Sequence, residues 1–305
     1  MPVPTAAATA ESSVAASAGS AGPRSNGLLT PDDAARPVRI ARYWPSDELA
    51  PLVRHYWLPR WELPAGSTLR QDVLEYPTSN LVIEPGEAML HRARRGRSAR
   101  ILTGQSWAFG AMLRPGTGRS LVDVSVRTLP PSIPLSALRV PGVQDAVDAV
   151  RTHMAAGDDA GAIAAFEAWL VASIPSPGAD AVLVDAIVGA VENDRGITRV
   201  EQLADRFGIG VRHLQRLVAG HIGFGPKWLI QRYRLQEAAA ALRSDSPPAL
   251  ADLAVELGYA DQAHFGREFK SVIGWTPGAY LAEAAGVAGA AGADDAAPAH
   301  SARAR

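Results

Sequence analysis

The sequence predicts an α+β chain. A β-rich, barrel-like N-terminal domain with a helical hairpin precedes an all-α domain, in which two helix-turn-helix motifs are joined by a linking helix. Three observations predict this. Residues 38–135 are rich in Pro, Gly and β-formers, whereas residues 143–282 are rich in Ala and Leu at helical spacing. The change falls in the Pro-containing stretch Pro130 to Pro141. An internal repeat of about 50 residues lies near the C-terminus.

The elements follow in order. Residues 1–37 are mostly Ala, Ser, Gly and Pro, and residues 283–305 are dominated by Ala. Neither carries an apolar stripe to offset ordering entropy, so both are expected to be disordered tails. In residues 38–140, strands are expected at Leu52–Trp57, Leu69–Tyr76, Asn80–Glu84, Ala99–Thr103 and Trp107–Leu113. Turn signals at Pro64-Ala-Gly66, Pro77, Pro85-Gly86 and Pro115-Gly116 punctuate them. Leu121–Arg127 alternates Val122, Val124 and Val126 with Asp123, Ser125 and Arg127, the pattern of a half-buried strand. Residues 141–180 form a helical connector or dimerisation hairpin. Val143, Ala146, Val147, Val150 and Met154 carry its first helix, and Ile163, Phe166 and Leu170 its second. Residues 181–282 then form the double helix-turn-helix unit, opening on a helix marked by Val184, Ile187, Val188 and Val191.

Composition excludes several functions. The chain has 305 residues, enough for two domains, with 30 Lys+Arg against 31 Asp+Glu. It has no cysteine, which removes disulfides, zinc–thiolate sites, iron–sulfur clusters and Cys nucleophiles. No run approaches a membrane span, and the first 37 residues lack a secretory pattern, so a soluble cytoplasmic protein is expected. His55, His91 and His153 stand alone, without the closely spaced His pair and Glu of a cupin-type metal site. The same isolation argues against a Ser/His/Asp triad. No metal, cofactor or catalytic residue is therefore expected.

The repeat carries the function. Leu203-Ala204 recurs as Leu253-Ala254, and Gly208 as Gly258, at an offset of 50. One extra residue in the second turn then shifts the offset to 51. Leu214 matches Phe265, Arg216 matches Arg267, Gly223 matches Gly274 and Pro226 matches Pro277. In each copy a small Ala lets two helices cross closely, and a Gly ends the first helix where the chain must reverse. The second helix of the first copy buries Leu214, Leu217 and Val218 and turns Arg212, His213, Gln215, Arg216 and Ala219 outward. That of the second copy buries Phe265 and Phe269 and exposes Gln262, Ala263, Gly266, Arg267 and Lys270. Arg can fork onto guanine and Gln can bridge adenine, so these faces suit DNA. The linking helix, from Pro226 to about Leu242, spans roughly 25 Å at ~1.5 Å per residue. With the helix radii added, the recognition helices lie about one DNA turn apart, roughly 34 Å.

These motifs resemble a known family. Leu203-Ala-Asp-Arg-Phe-Gly208, His213-Leu-Gln-Arg-Leu217, Leu253-Ala-Val-Glu-Leu-Gly-Tyr259, Phe265-Gly-Arg-Glu-Phe-Lys270 and Gly274-Trp-Thr-Pro277 resemble the DNA-binding domain of AraC/XylS-type transcriptional regulators. The resemblance covers residues 185–282. It implies promoter binding by both recognition helices, and RNA polymerase as a partner if the protein activates rather than represses. The family's base-reading positions match Arg212, Gln215 and Arg216, then Gln262, Gly266 and Arg267. Gly266 departs from the usual polar side chain.

Charge adds a second point. Residues 195–243 hold nine Lys+Arg and three Asp+Glu, whereas residues 244–282 hold two and five. Phosphate attraction is expected mainly from the first copy and the linking helix, through Lys227, Arg232 and Arg234. In the second copy Glu268 and Asp261 are expected to hold Arg267 in a local ion pair.

The N-terminal half resembles the β-barrel sensor domains of such regulators, in His55-Tyr-Trp57, Leu81-Val-Ile83 and Leu113-Arg-Pro-Gly116. That resemblance implies a small-molecule effector or a homodimer. Tyr56, Trp57, Trp61, Tyr76 and Trp107 are the candidate effector residues. Five Arg between Arg92 and Arg100 suit a solvated hairpin loop, or a contact to DNA backbone or an acidic effector. The alternative to a regulator is an enzyme or small-molecule binding protein with an accessory helical domain.

Overall fold

The computed structural model describes residues 37–284, apart from 75, 123 and 245 and the side chains at 72, 74, 97, 283 and 284. The expected tails lie outside the described residues, except that Pro37 accepts a backbone bond from Glu62 and the last helix reaches Ala284.

The β-rich half is built in layers. β1 (Val38–Tyr43), β2 (Val53–Glu62), β8 (Phe109–Leu113), β4 (Asn80–Ile83), β5 (Ala88–His91) and β9 (Ser132–Pro134) lie side by side in that order. The short β7 (Gln105–Trp107) pairs with the far end of β2. β3 (Thr68–Leu74) and β6 (Arg97–Thr103) form a separate two-stranded ribbon. Alternation along the strands divides the main sheet into two faces. Tyr56, Leu58, Leu81, Ile83, Leu90, Phe109 and Leu113 face α1 (Val143–Ala155) and α2 (Asp159–Ser173) in one apolar core. Burial of Val150, Met154, Phe166 and Leu170 in that core fixes the hairpin against the sheet. The opposite face looks toward the ribbon and encloses a cavity.

Leu121–Arg127 is not a strand. It forms two short helical turns, Thr117–Leu121 and Val126–Thr128. Its alternation does not define one face, because Val126 is buried whereas Val124 is 48% exposed. Its backbone donors bond locally: Val122 N–H to Arg119 O at 3.3 Å, and Thr128 N–H to Ser125 O at 3.0 Å. Those donors are thereby taken from any strand ladder. Trp107–Leu113 is likewise interrupted: Ala108 N–H donates to Pro59 O, separating β7 from β8.

The helical half is α3 (Ala179–Asn193), α4 (Val200–Arg206), α5 (Val211–Ile222), α6 (Pro226–Leu242), α7 (Leu250–Glu256), α8 (Gln262–Ile273) and α9 (Pro277–Ala284). The repeat is physical. Leu203, Ala204, Leu214, Leu217 and Val218 form one core with α3, and Leu253, Ala254, Phe265 and Phe269 form a second with α9. α6 serves both cores, Leu229 and Tyr233 in the first, Leu235 and Leu242 in the second. Gly208 and Gly258 reverse the chain in the two copies at φ +62° and +73°, a region costly for any residue with a Cβ.

Candidate nucleic-acid interface and effector cavity

α5 starts without a side-chain cap, whereas the Asp261 carboxylate accepts a bond from His264 N–H to start α8 at 2.6 Å. The apolar stripes of both helices are spent on the cores, so the opposite faces are presented to solvent. Arg212, Gln215, Arg216, Gln262, Ala263, Arg267 and Lys270 are exposed, as is Lys227 in the first turn of α6. His213 and Gly266 are half-buried. Arg216 Nη2 contacts His213 Nδ1 at 2.9 Å. Among the described residues, the Arg212, Gln215, Gln262, Arg267 and Lys270 side chains make no hydrogen bond or ion pair within the chain. Forked donors held out from a rigid helix, with no intramolecular bond to break, are what base edges and phosphates require.

Two expectations at this face are corrected. Arg232 is not a phosphate contact: it is 1% exposed. Its guanidinium lies over the Tyr76 ring at 5.0 Å and over Tyr233 at 5.0 Å, and donates to Gln236 at 2.9 Å. α6 is covered on several sides, so a basic residue on it need not face water. Nor does Glu268 hold Arg267. It accepts from Gln231 of α6 and stands 3.4 Å from His264 Nε2, while Asp261 is engaged as the cap of α8.

The second site is a cavity of about 1060 Å³ between the main sheet, the ribbon and α3. Trp57, Trp61 and Tyr76 line it. Tyr56 and Trp107 do not. Tyr56 sits on the opposite face, wholly buried, with its hydroxyl donating to Glu167 at 3.1 Å, and Trp107 packs against the same helix-side core. One residue along a strand exchanges faces, so adjacent aromatics cannot share a pocket. The bulge between Val53 and His55 sets the phase that turns His55 and Trp57 inward.

Further lining residues were not singled out from the sequence. His55 has its pKa lowered to about 4, by burial and then by the nearby Arg42 and Arg54 cations. Burial also lowers the pKa of His91. Burial works against the charge of Arg54, yet the Glu192 carboxylate of α3 outweighs it and raises its pKa, with bonds of 2.7 and 3.0 Å. Arg54 also lies 5.2 Å from the Tyr76 ring, which is thus held between Arg54 and the buried Arg232 of α6. Burial raises the pKa of Asp185 against the Gly116 N–H, which donates to it at 2.8 Å. The Leu113-Arg-Pro-Gly116 phrase marked this turn; the α3 partners carried no local signal. α3 therefore belongs both to the first helix-turn-helix core and to the cavity wall.

Residues 203–283 match the family described as a helix-turn-helix domain. The transcriptional activator RhaS of Escherichia fergusonii is 36% identical over 77 residues, covering 25% of this chain and 27% of RhaS. Residues 203–283 thus match a helix-turn-helix domain, the part of the chain that holds both copies of the repeat. The chain also aligns with an uncharacterized HTH-type transcriptional regulator of Haemophilus influenzae, 31% identical over 101 residues, 33% of this chain and 34% of that protein. The chain thus spans about a quarter to a third of the length of these relatives. Residues 41–132 match a domain of unknown function (DUF6597). Among solved structures, ToxT from Vibrio cholerae aligns with 80% of this chain and 97% of its own, at 12% identity and a TM-score of 0.36.

Proposed function

We propose that this chain is a sequence-specific DNA-binding transcriptional regulator. It inserts α5 and α8 into successive major grooves on one face of the duplex, and a small molecule in the cavity adjusts that binding. The observation that carries the reading is the pair of exposed helix faces, Arg212/Gln215/Arg216 and Gln262/Arg267, on two copies of one fold joined by α6. The cavity supports the regulatory part, because α3 closes it and also packs under α5. The reading assigns the chain no catalysis.

The test is a gel shift with the DNA upstream of the protein's own coding sequence, at low salt and with excess non-specific competitor. A discrete complex that resists competitor supports the proposal. A complex that competitor removes in proportion to its mass would reduce the helical half to an accessory of a ligand-binding protein.

A further inference from the structure

The Arg-rich segment between β5 and β6 is only partly solvated: Arg94 and Arg95 are exposed, but Ala93 and Gly96 are buried. Ala93 is 1% exposed and belongs to the core of the first helix-turn-helix copy, among Leu217, Ile222 and Trp228. Arg92 and Arg95 place their guanidinium groups over the Phe224 ring, at 5.8 and 5.3 Å. Phe224 follows Gly223, the cap at the C-terminal end of α5. Cations suit that end, where the helix dipole is negative. Arg92 is itself fixed: its backbone N–H donates to Pro131 O at 3.1 Å and its Nε to Leu129 O at 2.9 Å.

The same segment reaches the other copy. Gly96 is buried at φ +76°, and a Cβ there would stand 3.1 Å from Ser271 O and 3.7 Å from Val272 O. Both carbonyls lie in the last turn of α8. The segment from Arg92 to Gly96 thus reaches the C-terminal ends of both recognition helices, through Arg92, Ala93 and Arg95 at α5 and Gly96 at α8. They leave the DNA-reading faces open, since Arg212, Arg216, Gln262 and Arg267 remain exposed. The strands on either side wall the cavity, through Met89 and His91 of β5 and Ser98 and Leu102 of β6.

We propose that residues 92–96 are a clamp that sets the placement of α8 relative to α5, so that binding to paired half-sites is governed from the β-rich half. This rests on the DNA-binding reading. The two copies have separate cores, and a duplex with two half-sites rewards only an arrangement in which both helices engage at once. A contact that fixes that arrangement acts on paired sites and not on a single one.

The probe is a duplex selected from a random pool by the full chain, beside the same duplex with the half-site read by α8 scrambled. Gly96→Val introduces a strained backbone and a clash with Ser271 O. Arg95→Ala removes one cation from an exposed position and spares the fold. Both variants are expected to lose roughly five- to tenfold in affinity on the intact duplex, and under about twofold on the scrambled one. Without DNA, amide exchange should accelerate at residues 271–274 and stay unchanged at 147–154. Equal losses on both duplexes, tighter binding by the variants, or unchanged exchange at 271–274 would each overturn the clamp. If the wild-type chain enriches no duplex, the DNA-binding reading falls and the clamp with it. If it enriches paired sites and the variants bind them as well as wild type, only the clamp falls.

Discussion

Arg216 and Arg267 occupy equivalent positions in the two copies, yet their surroundings differ. Arg216 shares its helix with exposed Arg212, and Lys227 is exposed at the start of α6; the first copy also exposes Glu201 and Asp205, but the second exposes Asp252, Glu256 and Asp261 beside only Arg267 and Lys270 as cations. Arg216→Ala is therefore expected to lose about 1–3 kcal/mol of specific binding, and Arg267→Ala less. Titration of both variants against one operator at one salt concentration checks this, and equal losses would show that direct contacts outweigh the surrounding charge. Two basic residues of α6 separate just as clearly. Lys227→Ala should lower the salt dependence of binding by roughly one unit, as a lost phosphate contact does. Arg232→Ala should lower the melting temperature instead, because that guanidinium is buried between Tyr76 and Tyr233. His55 adds a pH dependence. Its folded pKa, about 4, lies below its ordinary value of 6.5. As pH falls the unfolded chain takes up the proton first, so the contribution is full above pH 6.5 and fades down to about pH 4. Its size is of order 3 kcal/mol. Denaturant melts of wild type and His55→Gln across that window should diverge, the variant being the flatter; parallel curves would refute it.

At the scale of elements, α8 carries an avoidable weakness. Gly266 lies inside the helix with open space where a Cβ would stand. Gly266→Ala should stabilise the fold by about 0.5–1 kcal/mol, since glycine gives up more backbone freedom in a helix than alanine. A chemical melt that shows no gain would mean that the position is constrained by something other than helix propensity. The elements also show what could be read from sequence. The helix-turn-helix repeat was legible because its determinants are local: apolar residues at helical spacing, and Gly208 and Gly258 at matching turns. Leu121–Arg127 was misread because alternation measures polarity, and here Val124 is left exposed while short helical turns flank it on both sides. Arg232 was misread because a helix covered on several sides buries residues that would be solvent-facing on a two-faced one.

At the scale of the whole molecule, the cavity and the interdomain contacts were the least legible part. Arg54 meets Glu192, Gly116 meets Asp185 and Arg92 meets Phe224 across separations of about seventy residues or more, and no local pattern encodes such pairs. The aromatic candidates showed this plainly, since Tyr56 and Trp57 are neighbours in sequence on opposite faces of one sheet. What those contacts produce is a molecule in which one helix, α3, joins a cavity wall to the core beneath α5, while one face of α5 and one face of α8 remain exposed. The most direct test of two-groove insertion is methylation interference on a bound operator. Two clusters of interfering guanine N7 positions, about 10–10.5 base pairs apart on one face of the duplex, are predicted. A single cluster, or two on opposite faces, would contradict the simultaneous insertion of α5 and α8.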